Sequence, residues 1–127
     1  RDSVNPTVLN KVIEGSNVKR LGLDPIKGSS PLQFKSGYWD PISMGFKDVD
    51  EVREKLVGGM VFLHNDKNTE SFVGGLVLEI DEVLLEEEVK REDRFIITFQ
   101  SMIEGKGQKW RGRKGPYVYN SGLIEIE

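Results

Sequence analysis

Between Lys106 and Lys114 five basic residues, Lys106, Lys109, Arg111, Arg113 and Lys114, alternate with glycines around Trp110, and Tyr117 and Tyr119 follow. Cations threaded with flat rings are the residue types that hold phosphates and stack a base or another planar ligand. The run stands out because the chain as a whole has a formal net charge of -3, so its basic charge is concentrated rather than spread. A Lys/Arg run among glycines also has the composition of a solvated connection, and the residues alone leave both readings open. The chemistry they favour is noncatalytic binding of nucleic acid, with Trp110 as a stacking platform. Carboxylates dominate from Glu79 to Asp93, and an acidic face away from a basic one would orient the approach of a polyanion.

Catalysis has less to work with. The single histidine, His64, has no Gly-x-Ser-x-Gly elbow to serve, and a Ser-His-Asp site would need partners that carry no motif. Both the phosphate-loop pattern and the dinucleotide fingerprint are missing around Gly105-Lys106-Gly107. Zero cysteines exclude disulfide scaffolds, thiol catalysis, thiolate zinc sites and iron–sulfur clusters. A metal-dependent nuclease would use Glu88-Val89-Lys90 or Glu104-Gly105-Lys106 with Asp81 or Asp93, but such triplets arise by chance in a chain that is 31% charged. Consecutive glutamates at 86–88 do not converge on one point as a calcium loop's spaced oxygens do; the acidic run therefore reads as a solvated surface turn without a metal. No cofactor is expected. The order of readings is a nucleic-acid-binding module, then a peptide or small-molecule-binding module, then the nuclease.

A chain of 127 residues at 37% hydrophobic content supports one domain with one core. No run is long enough to span a membrane, and a soluble, cytoplasmic protein is the expectation. A start at Arg1, without methionine or an apolar leader, is what an excised domain with a partner domain elsewhere would show. Val8, Leu9, Val12 and Ile13 recur at helical spacing and predict a short helix over Thr7 to Glu14. Residues 17–31 read as irregular, Leu32 to Trp39 as a strand turning at Asp40-Pro41, and Val49 to Val57 as a helix capped by Asp48 with Glu51 three residues on. Strands follow at Met60–Leu63, Gly75–Leu85, Phe95–Phe99, Tyr117–Tyr119 and Leu123–Ile126, with a polar loop from His64 to Ser71. Together these elements describe a single α+β domain over 1–127: an N-terminal extension at 1–31 without an assigned pattern, and a curled or barrel-like mixed sheet with one or two short helices over 32–127.

This order carries a resemblance. A strand with Gly37-Tyr38-Trp39, a helix, a strand ending at His64-Asn65, a polar loop, and Phe72-Val73-Gly74-Gly75 leading into a strand resembles the PUA-like superfamily, in particular its EVE-type domains. The likeness covers roughly Leu32 to Leu85, with Phe95–Phe99 as a later strand; residues 1–31 and the Trp110 loop have no counterpart in it. It implies a pseudo-barrel that binds nucleic acid, in some members holding a modified or flipped base in an aromatic pocket. Carried over by position, it implies pocket residues Tyr38, Trp39, His64, Asn65 and Ser71, to which Trp110 is added from the cationic run. Extracting a base costs a few kcal/mol, which stacking on Trp39 and Trp110 at about 1–3 kcal/mol each would offset, while Asn65 can donate and accept at a base edge. Tyr38 and Trp39 are successive on a strand and face opposite ways, so one of the pair lines a given pocket. Both tryptophans equally fit the role of core residues.

Overall fold

The computed structural model describes residues 11–16, 22–87, 90–111 and 122–125, with the backbone alone at 85–87 and 90–93. Among these residues seven strands make one mixed sheet: β1 (Lys11–Gly15), β2 (Asp24–Pro25), β3 (Gln33–Trp39), β4 (Met60–Leu63), β5 (Val73–Glu87), β6 (Lys90–Ser101) and β7 (Ile124–Glu125). Their order is β2-β3-β6-β5-β4-β1-β7. The parallel pair is β1 with β4, and the other pairings are antiparallel. A helix, α1 (Val49–Leu56), and a 3-10 turn at Ile103–Gly105 complete the described elements. The expected α+β, sheet-rich architecture is therefore present, and the sheet is open, with β2 and β7 at its ends. No helix among the described residues is long and apolar enough to cross a membrane.

Two expectations need correction. Residues 11–15 form β1, not the end of a helix, because Val12 to Gly15 pair with Met60 to Leu63. Both faces of this strand are buried, and a strand buried on both faces reads as a continuous apolar run rather than an alternating one. Val12-Ile13 fits either period, and pairing decided between them; residues 7–10 lie outside the described residues. The described part of the acidic run, residues 79–87 and 90–93, is likewise strand and not turn: it lies in β5 and β6, in which Glu86 stands opposite Arg91 and Glu87 opposite Lys90. This pairing carries β5 and β6 beyond their predicted limits. The strand predicted at Tyr117–Tyr119 lies outside the described residues.

The helix begins where its cap predicts. Asp48 Oδ1 accepts from the Glu51 N–H at 2.9 Å, and Glu51 Oε1 accepts from the Lys47 N–H at 2.6 Å, so the box closes one residue upstream of the usual reciprocal bond. The Lys47 N–H and then the Lys55 ammonium hold the Glu51 carboxyl below the ordinary carboxylate range. A depressed folded-state value means that Glu51 adds stability above its unfolded value, and that this increment fades as pH falls through the lowered folded value. Urea midpoints measured down through that acid window are therefore expected to fall less steeply for Glu51→Gln than for the parent.

Alternation along β1 and β4 divides the molecule into two layers. Ile13, Val61 and Leu63 join the main core, where Val49, Val52 and Leu56 of α1 pack with Trp39 and Phe95. Val12, Met60 and Phe62 form a second cluster, against which Met102 packs, on the opposite side of the same strands because successive side chains point to opposite faces. The segment after β6 covers that second face. Its close approach requires glycine: a Cβ on Gly105 would stand 2.0 Å from the Gly74 carbonyl oxygen, and one on Gly75 would stand 1.8 Å from that of Gln100. Both obstacles are backbone. Gly105→Ala is expected to cost about 1–3 kcal/mol in urea unfolding, as overpacking does, whereas Gly28→Ala meets nothing within 4 Å and is opposed only by its positive φ.

Candidate functional site

On the face away from α1, Glu14 follows Val12 and Ile13 along β1, and His64 continues the alternation of Met60 and Phe62 past the end of β4. Both side chains are wholly buried, at 0% exposure, and His64 Nε2 lies 2.9 Å from Glu14 Oε1. His64 Nδ1 lies 2.9 Å from the carbonyl oxygen of Thr69. A carbonyl only accepts, so Nδ1 carries hydrogen and donates. Glu14 Oε2 accepts from the Arg111 N–H at 2.7 Å. One shared proton must then lie between Nε2 and Oε1, since both atoms would otherwise present lone pairs. The Trp110 ring meets the His64 ring edge-on at 5.2 Å between centroids. This assembly joins β1, the 64–71 loop and the end of the cationic segment.

Ser71 fastens the same segment a few residues earlier. Its hydroxyl donates to the Gly105 carbonyl at 2.7 Å and accepts from the Gln108 N–H at 3.0 Å. Its backbone donates to Gln108 O and accepts from the Gly107 N–H. From Gly105 to Arg111 the chain is thus held from beneath, while Lys106, Lys109 and Arg111 remain exposed. Arg111 spreads over this surface, with Nη2 donating to Gln108 Oε1 at 2.7 Å and Cζ 5.7 Å from the Phe62 ring centroid.

The residues expected to frame an aromatic pocket do not converge. Trp39 has no exposed surface, stacks on Phe95 at 6.1 Å, and donates Nε1–H to Ser36 O at 3.1 Å. Such a ring cannot take a base without opening the core. Tyr38 faces the other way, as alternation requires, and is 52% exposed. Both sit on β3, three strand spacings from β4, or about 14 Å at the usual separation. His64 is sealed with both ring nitrogens engaged, so it is not presented to a substrate. Trp110 is 8% exposed and its ring is a wall of the buried pair. Asn65 is exposed at the loop's start, and Ser71 serves the backbone of the neighbouring loop. His64, Ser71, Trp110 and the cations at 106, 109 and 111 are therefore brought together; Tyr38 and Trp39 are not, and Arg113 and Lys114 lie outside the described residues. Glu14 is hidden as a site residue by the helix expected over Thr7 to Glu14. Its available signal was an acid set between Val12-Ile13 and a glycine, in a run otherwise apolar enough to be buried.

Fold and site together define an open, mixed-sheet α+β domain, covered by a helix on one face and by a braced cationic loop on the other. Comparison of the chain with family models, with curated proteins and with solved structures returns no match.

Proposed function

We propose that this domain is a noncatalytic nucleic-acid-binding module of the PUA-like, EVE-type kind, which grips backbone phosphates with Lys106, Lys109 and Arg111. The observation that carries the reading is the bracing of the cationic loop. Fixed from below by Ser71 and the Glu14 carboxylate, it presents exposed cations on an ordered backbone, so little conformational entropy remains to be lost on binding. Lone solvated connections lack such ties. The element order supports the family assignment: an aromatic-bearing β3, α1, β4 leading to His64-Asn65, a polar loop, then β5 with its glycine pair. A pseudo-barrel belongs to the same proposal. Register shifts in β3 between Ser36 and Trp39, and between Val77 and Glu79 in β5, favour it, because bulges bend and twist the strands that hold them.

The test is anisotropy of labelled single- and double-stranded DNA and RNA across a salt series. Binding that weakens steeply with salt is expected, and the Lys106/Lys109/Arg111 triple alanine variant should flatten the logarithmic salt slope by about three, one per lost phosphate contact. A variant that binds as tightly as the parent removes the loop from the reading. Salt-insensitive binding of an uncharged ligand instead would favour a peptide or small-molecule module.

A further inference from the structure

The buried state of both tryptophans leaves the cationic loop without an aromatic platform among the described residues, yet an apolar surface does stand beside it. Ile103 opens the 3-10 turn after β6 and is 89% exposed. Next to it is a shallow depression of about 590 Å³ lined by Ser101, Met102, Ile103, Lys106 and Gly107. We propose that this depression seats one base of a single-stranded nucleic acid, with Met102 and Ile103 against the ring and Lys106 on the adjoining phosphate. The inference rests on the nucleic-acid reading above and names the part of the ligand that the cations cannot recognise.

Three observations carry it. First, the exposure of Ile103 is not that of a loose chain end. The Gly105 N–H donates to Met102 O at 3.0 Å, the Lys106 N–H to Ile103 O at 3.1 Å, and Gln108 Nε2 to Glu104 O at 3.0 Å, while Gly105 is pressed against Gly74. A large aliphatic side chain on a braced turn is a fixed surface that water covers unfavourably until something apolar replaces it. Second, charge complements it. From 101 to 111 the chain carries three cations against one acid, Glu104, and Lys106 belongs both to the depression and to the cationic run. A ligand that is flat and apolar on its face and anionic along its chain meets both features. Third, the hollow selects the strand form, since an unpaired base can turn its face into it and a stacked, paired base cannot.

The experiment uses labelled dT12 and a 12-mer of equal charge built of abasic sites, titrated at low salt. The parent protein is expected to bind dT12 more tightly than the abasic strand by roughly tenfold, the scale of burying one isoleucine. Ile103→Ser should bring that ratio close to one with the salt slope retained, and its thermal unfolding should match the parent's because the side chain is exposed. Equal parental affinity for the two strands overturns the base seat while leaving phosphate binding in place, and so does a ratio that survives Ile103→Ser. Binding of neither strand, nor of any duplex, overturns the nucleic-acid reading and the seat with it.

Discussion

Replacing Glu14 with alanine is expected to lower the unfolding free energy by about 3–5 kcal/mol, the range seen when one partner of a buried pair is removed. The variant removes the partner of two groups: the buried His64 Nε2, which loses its 2.9 Å contact, and the part-buried Arg111 N–H, which loses its acceptor at 2.7 Å. His64, at 0% exposure, has no water to replace that partner. Glu14→Gln separates hydrogen bonding from charge. Its amide can donate to Nε2 while its carbonyl oxygen accepts from Arg111, so the pattern survives with His64 neutral and donating through Nδ1. Urea unfolding with unchanged slope checks the order, with parent and Gln variant close together and the Ala variant far below. Amide exchange at Arg111 adds a local readout, since its N–H should lose protection in Glu14→Ala. An alanine variant as stable as the parent would mean that the loop is not held from within.

Trp39→Ala is expected to cost about 3–5 kcal/mol, as truncation of a large buried aromatic does, with Trp39→Phe costing clearly less. The ring stacks on Phe95 within the main core and has no exposed surface, so truncation leaves a cavity that the sheet can close only in part. The indole also satisfies Ser36 O, a bond that phenylalanine forfeits. Against a total stability of roughly 5–15 kcal/mol that loss is a large share, and the phenylalanine variant is the one on which to measure binding. Unchanged affinity of Trp39→Phe for oligonucleotides agrees with a purely structural ring. Loss of binding by Trp39→Ala at full stability would return Trp39 to the ligand and sink its assignment to the core.

Local signals were strong wherever one segment decides its own fate. Asp48 and Glu51 announced the helix start through a bond between neighbours, and Met60–Leu63 were bounded by a glycine pair and a polar loop. The cationic run was legible as composition alone. The Val12-Ile13-Glu14 stretch was not, because two adjacent apolar residues satisfy a helical stripe and a doubly buried strand alike. The acidic run reads as a turn because its like charges lie close in sequence, whereas its place in two paired strands, with Glu86 and Glu87 at positions opposite Arg91 and Lys90, follows only from the register. Trp39 and Trp110 share a residue type that serves cores and ligands equally, and burial alone separated those uses.

By itself the sequence determined a sheet-rich α+β fold, its one clear helix and the concentration of positive charge in residues 106–114, since each follows from composition or from residues a few positions apart. Tertiary structure alone decided that Glu14 and His64, 50 residues apart, share a proton beneath that charge, that Ser71 fastens the loop, and that Ile103 is left bare beside Lys106. These depend on which strands become neighbours and which face each side chain takes; for Glu14 on β1, a shift of one residue in register would turn its side chain to the opposite face.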